Sequence, residues 1–195
     1  MKEFFEKHSY NAVRLFLNQV VIGIMFGFSL SLVAGKMGND ALRIGVSVFS
    51  VLFYLFLEFT VAYKLGTEDR VSVDLGKKKA NYLLPVWLWL LANLVNLILA
   101  IFVLLGNLLP DSLGNAGGVC ASIALVVEGM YTGLMALNVG GQALNSYPVM
   151  YFVITLPALV VIWLSYVAGL KSKKIAKMFQ YQYPESDRPD KKSGK

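Results

Sequence analysis

The sequence LGTEDRVSVDLGKKK, residues 65–79, is the only strongly charged interval between the long apolar runs of this chain. One apolar run ends just before it, near residue 63, and another begins just after it, near residue 85. Inside the interval, Val71, Val73 and Leu75 alternate with polar side chains, which predicts that part of it is extended. We therefore expect a charged loop that joins two segments embedded in lipid.

The composition indicates an integral membrane protein. Of the 195 residues, 56% are hydrophobic and 15% are charged, whereas a soluble domain has about 25% charged residues. A helix of about 20 apolar residues crosses the hydrocarbon core of a bilayer. The sequence therefore predicts an all-α, polytopic transmembrane helix bundle in residues 1–170, with spans at residues 15–34, 44–63, 85–109 and 148–170. Residues 106–118, rich in glycine and asparagine, predict a loop.

A fifth apolar run, residues 119–139, is interrupted by Glu128 and two glycines, and the basic residues decide how it is interpreted. Of the 18 Lys and Arg residues, 16 lie before the first span, in or beside residues 65–79, or in the tail at residues 171–195. The positive-inside rule places these three segments in the cytoplasm. We predict a multi-pass protein of the cell membrane with four spans and both termini cytoplasmic, in which residues 119–139 are re-entrant or lie on the outer face. A fifth full span would put the basic tail outside.

Glu58 is the most informative single residue, because it lies about six residues inside the second span, roughly 9 Å deep. An ionisable side chain at that depth is costly and points to a functional site. Polar residues of the neighbouring spans are expected to join it in one cluster: Arg14, Asn18, Gln19, Asn93 and Asn96. Two interpretations stay open: Glu58 pairs with Arg14 or the amides and locks the helices together, or the cluster handles protons or cations. A third is that Glu58 reaches the interface.

Glu128 is the second candidate, midway in residues 119–139. If this segment is re-entrant, Glu128 would line a water-filled outer vestibule. If the segment lies in the interface, Glu128 is simply solvated, and this is the interpretation that the sequence favours.

Small residues recur every four positions on the first span, at Gly23, Gly27, Ser31 and Gly35. Such a ridge lets another helix approach closely. The partner is another span of this chain, a second copy or a different protein, and we expect the first of these.

Two helix ends share a local pattern, Tyr63-x-x-Gly66 and Tyr166-x-x-Gly169. We interpret each glycine as a helix C-cap with cations nearby; a distant internal duplication is the alternative. With the residues that follow, these junctions resemble a group of small bacterial multispanning membrane proteins that have no assigned activity. The resemblance covers the two junctions only, and it implies a bacterial cytoplasmic membrane. The residues that carry it are Tyr63, Gly66, Asp69, Arg70, Val71, Gly76, Tyr166, Gly169 and Lys171.

Several classes of function are not supported by the sequence. One cysteine, Cys120, and one histidine, His8, allow neither an intramolecular disulfide nor a multi-histidine metal site. Phosphate-loop, metalloprotease and serine-hydrolase motifs are absent from the sequence. We expect no enzyme, no metal and no cofactor, and because orientation explains the positive charge, we expect membrane lipid rather than nucleic acid as a partner.

Two functions of different classes remain. The first is a non-catalytic accessory or scaffold subunit of a membrane complex, which contacts another membrane protein or a second copy of itself. The small-residue ridge and the missing catalytic motifs favour it. The alternative is a permease or channel for a small solute or ion that uses the polar cluster around Glu58.

Overall fold

The computed structural model describes residues 2–77 and 79–179, with side chains described for residues 9–172 except 26 and 78. The predicted basic tail therefore lies outside the described residues from residue 180 onward. The described part is all-helical apart from one short β-hairpin. Its elements are α1 (Lys2–Ile22), a π-helix (Gly23–Phe28), α2 (Ser29–Lys36), α3 (Asp40–Asp74), α4 (Leu84–Ala92), α5 (Leu94–Leu108), α6 (Pro110–Val127), a 3-10 turn (Gly129–Tyr131), α7 (Thr132–Met135), β1 (Asn138–Val139), β2 (Gln142–Ala143), a 3-10 turn (Leu144–Ser146), α8 (Met150–Val153) and α9 (Leu156–Phe179).

Three helical stretches are long and apolar enough to cross a membrane, namely Ser9–Lys36, Asp40–Asp74 and Met150–Leu170. Two further stretches reach that length only as bent pairs. Leu84–Ala92 and Leu94–Leu108 meet at an angle of 62°, and Pro110–Val127 and Gly129–Met135 meet at 88°. The structure thus has three candidate spans, or up to five if each bent pair counts as one.

The first two candidate spans form a helical hairpin. The turn between them contains Gly38 at a φ of 65°, a left-handed conformation that glycine adopts readily. Asn39 then caps α3, because its side chain accepts a hydrogen bond of 2.9 Å from the Leu42 amide. We call this end of the bundle the hairpin end, and the opposite end, where α1 begins and α3 finishes, the charged end.

The prediction of a loop from residue 65 is wrong, because α3 continues to Asp74. Its buried residues recur every three or four positions along the whole helix, at Tyr54, Glu58, Val61, Leu65 and Asp69. This periodicity is that of a helix with one face against neighbours. Of the charged side chains in this stretch, Glu68 and Asp74 are exposed, whereas Asp69 is buried and Arg70 contacts α9, so the charge is divided between the two faces of one helix. The chain turns only at Gly76, whose φ is 68°.

Helices α3 and α9 are packed against each other through the two glycines that the sequence suggests as C-caps. Both lie inside their helices, so the C-cap interpretation is wrong. A Cβ atom on Gly66 would overlap the carbonyl group of Tyr166, and one on Gly169 would overlap the carbonyl group of Tyr63. The shared pattern Tyr-x-x-Gly therefore reflects a reciprocal contact in which the two backbones touch, as small residues permit between membrane helices.

Polar contacts extend this crossing toward the charged end. The Arg70 side chain donates a hydrogen bond to the Ser172 hydroxyl. Arg70 lies one turn after Gly66 on α3, and Ser172 lies one turn after Gly169 on α9. Because the contacts advance in the same sense along both helices, the two helices run in the same direction. The Tyr166 hydroxyl donates a 2.7 Å hydrogen bond to the Asp69 carboxylate, and both side chains are buried.

The third predicted span is broken at Asn93, where α4 and α5 meet. The Asn93 side-chain amide donates to the Trp89 carbonyl oxygen at 3.1 Å, and its oxygen accepts from the Asn96 amide at 3.1 Å. The Trp89 ring nitrogen donates to the Thr155 carbonyl oxygen at 3.0 Å. The bend is thus satisfied by amide side chains and lies beside the break between α8 and α9.

The predicted loop at residues 106–118 is helical instead, and only Leu109 separates α5 from α6. Pro110 occupies the first turn of α6, where its missing N–H leaves nothing unpaired. A Cβ on Gly106 would lie 2.6 Å from the Gly117 Cα, so the glycines serve close packing of α5 on α6.

After α6 the chain turns sharply at Glu128 and goes back toward the hairpin end. Gly129 lies against the backbone of Gly23, in the middle of the first helical stretch. Four residues later the Gly133 amide donates to the Ser47 hydroxyl at 2.7 Å, near the start of α3. Residues 110–135 thus contact the middle of the first helical stretch at Gly129 and the start of α3 at Gly133.

We predict that Gly66→Ala destabilises the protein by about 1–3 kcal/mol, because the added methyl group meets backbone atoms that have no room to move. Thermal unfolding in detergent would show a lower melting temperature. The matched control is Gly45→Ala on the same helix, where a Cβ has no atom within 4 Å. This control is expected to leave stability unchanged or raise it by up to about 1 kcal/mol through helix propensity. Equal effects of the two substitutions would contradict the tight α3–α9 contact.

Candidate functional site

Three carboxyl side chains are buried among the described residues: Asp69 is 5% exposed and accepts the Tyr166 hydrogen bond near the charged end, whereas Glu58 is 0% exposed and Glu128 is 3% exposed deeper in the bundle. Neither Glu58 oxygen has a hydrogen-bond partner. The Asn18 side chain of α1 interacts with the Glu58 carboxyl group as a hydrogen-bonding neighbour, although the contact does not have full hydrogen-bond geometry. Buried polar groups in native proteins are nearly always paired, so an unpaired carboxyl group calls for an explanation.

Two tyrosines connect these carboxyl groups. Tyr54 lies one turn before Glu58 on the same face of α3, and its hydroxyl is within electrostatic reach of Glu58, Glu128 and Tyr131. Tyr131 is in turn within reach of both carboxyl groups. The Tyr131 hydroxyl is buried and has no hydrogen-bond partner. We call Tyr54, Glu58, Glu128 and Tyr131 the buried acidic cluster.

The backbone explains why the cluster forms at this place. The π-helix of the first helical stretch meets the 3-10 turn after α6, with Gly23 against Gly129 and Gly27 against Met130. A larger side chain at any of these three glycines would push the turn away. Glu128 immediately precedes this contact, and the turn therefore carries it to the level of Tyr54 on α3.

The polar residues predicted around Glu58 do not all lie beside it. Gln19 is 2% exposed and Asn18 is half-buried, both on α1. Arg14 is exposed and lines a pocket nearer the charged end. Within the described part of the chain, Glu58 has no ion-pair partner. The interpretation in which Arg14 neutralises Glu58 is therefore not what the structure shows.

Asn93 and Asn96 form a separate polar pair at the bend between α4 and α5. Each is 2% exposed, and their hydrogen bonds connect them to each other and to Trp89. The Asn96 side-chain oxygen, Oδ1, is buried and has no hydrogen-bond partner. Their hydrogen bonds thus serve first to pair polar groups at the bend between the two helices.

Glu128 and the small-residue ridge were open to more than one interpretation. The solvated interpretation of Glu128 differs from the structure, which buries this side chain. Gly23 and Gly27 contact residues 127–130 of the same chain, and Ser31 is 2% exposed with an unpaired hydroxyl. The ridge therefore serves packing within the chain.

Two pockets open toward opposite ends of the bundle. The α1–α3 pocket has a volume of about 260 Å³ and lies at the charged end. The α5–α6 pocket, of about 210 Å³, lies at the hairpin end. The first is lined by Tyr10, Asn11, Arg14, Val61, Lys64, Leu65 and Glu68. The second includes Asn107, Gly117, Asn145 and Ser146 in its lining.

The sequence did not predict the cluster's tyrosines, Tyr54 and Tyr131, or the neighbouring Tyr151, which is within electrostatic reach of Glu128. Tyrosines in a membrane protein are expected near its interfaces, where their rings are amphipathic. Tyr54 had a usable signal, since it lies four residues from Glu58 and so on the same helix face. The sequence held no such signal for Tyr131, because the position of this side chain depends on the turn at Glu128.

In the part of the chain that the structure describes, no group of three His, Cys, Asp or Glu side chains could hold a metal ion. The sequence matches no family model, no curated protein and no solved structure.

We predict that Glu58→Gln keeps or raises the melting temperature in detergent, because glutamine has the same shape and removes a buried ionisable group that has no partner. Glu68→Gln is the matched control on α3; this exposed carboxylate is 3.9 Å from Lys64, and such a pair contributes about 0–1 kcal/mol. A marked loss of folded protein with Glu58→Gln alone would mean that Glu58 holds the helices together.

Proposed function

We propose that the chain is a multi-pass protein of the cell membrane with four spans, a re-entrant segment at residues 110–135 and both termini in the cytoplasm. The basic residues at the charged end support this orientation. The contacts of Gly129 with Gly23 and of Gly133 with the start of α3 support the re-entrant path, because the segment returns toward the end from which it came. The bacterial assignment rests on the resemblance of the two helix junctions.

Single cysteines in a Cys120→Ser background test this topology. We expect an impermeant maleimide to label Met37→Cys and Gln142→Cys in intact cells, and Lys77→Cys only after permeabilisation. All three wild-type side chains are exposed, so labelling reports the side of the membrane. If residues 119–139 formed a fifth span, Met37→Cys and Gln142→Cys would be labelled from opposite sides.

We propose that the protein exchanges or conducts a small ion, a proton or a monovalent cation, at the buried acidic cluster. The observation that carries this proposal is the Glu58 carboxyl group, fully buried, with the Asn18 amide beside it and no ion-pair partner among the described residues. An ionisable residue inside a membrane is expensive and is retained where it has work to do. A purely structural role would place a donor on each carboxyl oxygen.

Broken helices around the cluster support the same proposal. Membrane transporters place ion sites near the bilayer centre where helices are discontinuous. Here the α6–α7 bend lies at Glu128, and the π-helix at Gly23–Phe28 packs against it. Segments of π-helix often occur at functional sites. Three discontinuities, at residues 23–28, 93 and 128, thus surround the interior of a small bundle.

Purified protein in liposomes tests this function. We expect wild-type protein to pass protons, Na⁺ or K⁺ down an imposed gradient, and Glu58→Gln to reduce the rate to that of protein-free vesicles, because the substituted amide neither releases a proton nor balances a cation. Fluorescent indicators inside the vesicles measure each ion.

Asp111→Asn is the control, since this exposed carboxylate on the first turn of α6 lies outside the cluster. It should conduct as the wild type does. Glu58→Gln protein that stays folded and conducts normally would rule out the proposed site.

The second candidate is the accessory or scaffold subunit of a membrane complex. The burial and mutual hydrogen bond of Asn93 and Asn96 favour it, because a solute pathway through the third span would leave these amides wet. If folded wild-type protein passes none of the three ions, and purification in mild detergent recovers a stoichiometric membrane partner, this candidate replaces the ion site.

A further inference from the structure

We propose that the species at the buried acidic cluster is the proton, and that it passes between the α1–α3 pocket and the α5–α6 pocket through the side chains of Glu58, Tyr54, Tyr131, Glu128 and Tyr151. This inference rests on the proposed ion site and adds the identity of the ion and its route. The structure supports it at three places along that route: at each pocket and at the centre.

At the charged end, the α1–α3 pocket lies directly below Glu58 in the seam between α1 and α3. Arg14 lines the pocket, and Asn18, which approaches Glu58, is one helical turn further along α1. Val61 lines the pocket from α3, and Glu58 lies three residues away on the same buried face. Val61 and Glu58 are therefore about one helical turn, or about 5 Å along the axis of α3, apart.

At the centre, Tyr54 and Tyr131 each lie within electrostatic reach of both carboxyl groups of the cluster. Tyr54 is 2% exposed and Tyr131 is 5% exposed, so both hydroxyl-bearing side chains lie in the interior with Glu58 and Glu128. The buried Tyr131 hydroxyl has no hydrogen-bond partner, so no existing hydrogen bond holds it away from a neighbour on the route.

At the hairpin end, Tyr151 continues the route. This tyrosine is 2% exposed and within electrostatic reach of Glu128. Its hydroxyl donates a 3.3 Å hydrogen bond to the Asn145 carbonyl oxygen, and Asn145 lines the α5–α6 pocket. The second pocket is thus one hydrogen bond away from the interior side chains.

The packing between the pockets favours protons over larger species. Leu15, Met130 and Ile162, each at most 1% exposed, occupy the interior at this level. A hydrated metal ion or a solute would need a passage through them, whereas a proton needs only hydrogen-bonding oxygens.

A carboxylate takes up a proton from water and later releases it. A tyrosine hydroxyl accepts a proton on its oxygen and gives its own to the next group, so that no charge stays behind.

Proton flux into liposomes loaded with a pH-sensitive dye tests the route. A potassium diffusion potential with valinomycin drives the flux. We expect Tyr54→Phe and Tyr131→Phe to slow it by about a hundredfold, the lower end of what a positioned proton-transfer group contributes. Each substitution removes one hydroxyl oxygen and leaves the ring in place, so folding should be preserved. The Tyr131 hydroxyl makes no hydrogen bond that the substitution would remove. Gel filtration and thermal unfolding check this.

Tyr82→Phe is the matched control, since this tyrosine is 48% exposed and lies outside the route; it should conduct as the wild type does. Normal flux in both Tyr54→Phe and Tyr131→Phe would overturn the tyrosine route, and if Glu58→Gln still abolished flux, the proposed ion site would stand. Flux of Na⁺ or K⁺ without proton flux would overturn the choice of the proton and also leave the ion site standing. Absence of all ion flux from folded wild-type protein would overturn both proposals.

Discussion

The contact between Gly23 and Gly129 determines where the interior of this protein lies. Lipid gives helices no hydrophobic reason to associate, so small residues that allow backbones to touch decide which helices pair. Gly23 and Gly27 on the first helical stretch receive the turn at Gly129 and Met130. That turn brings Glu128 into the bundle and sends α7 back to the start of α3. Without this contact the segment after α6 would have no site inside the protein.

A second glycine contact supplies the rigid part of the bundle. Helices α3 and α9 run in the same direction, touch at Gly66 and Gly169, and are joined beyond that point by Arg70 and Ser172. Both helices are continuous at this crossing. The discontinuous elements, α4–α5 and α6–α7, lie against this pair and the first helical stretch. The buried acidic cluster thus combines side chains from a continuous helix, α3, with side chains from a turn.

The sequence was sufficient to predict the helical class and the positions of most of the long apolar helices, because each depends on local hydropathy. It also predicted the close approach at Gly23 and Gly27. It misplaced the end of α3, since the charges at residues 68 and 70 were read as a loop although Leu65 and Asp69 continue the buried stripe. The burial of Glu128 and Tyr131 could not be derived, because it depends on an 88° turn whose partner is 106 residues away.

The two candidate functions explain the buried polar residues of the interior in different ways. Asn93 and Asn96 satisfy a bend, and amides used in this way need no further role. Glu58 has no ion-pair partner among the described residues, and the Asn18 amide beside it does not reach full hydrogen-bond geometry. Interhelical polar contacts in membranes contribute only about 1 kcal/mol on average, so a structural carboxyl group would gain little from being there. The proposed ion site and the proposed scaffold role therefore differ in what they ask of Glu58: the first needs a carboxyl group that releases and takes up an ion, and the second needs a contact that holds helices together.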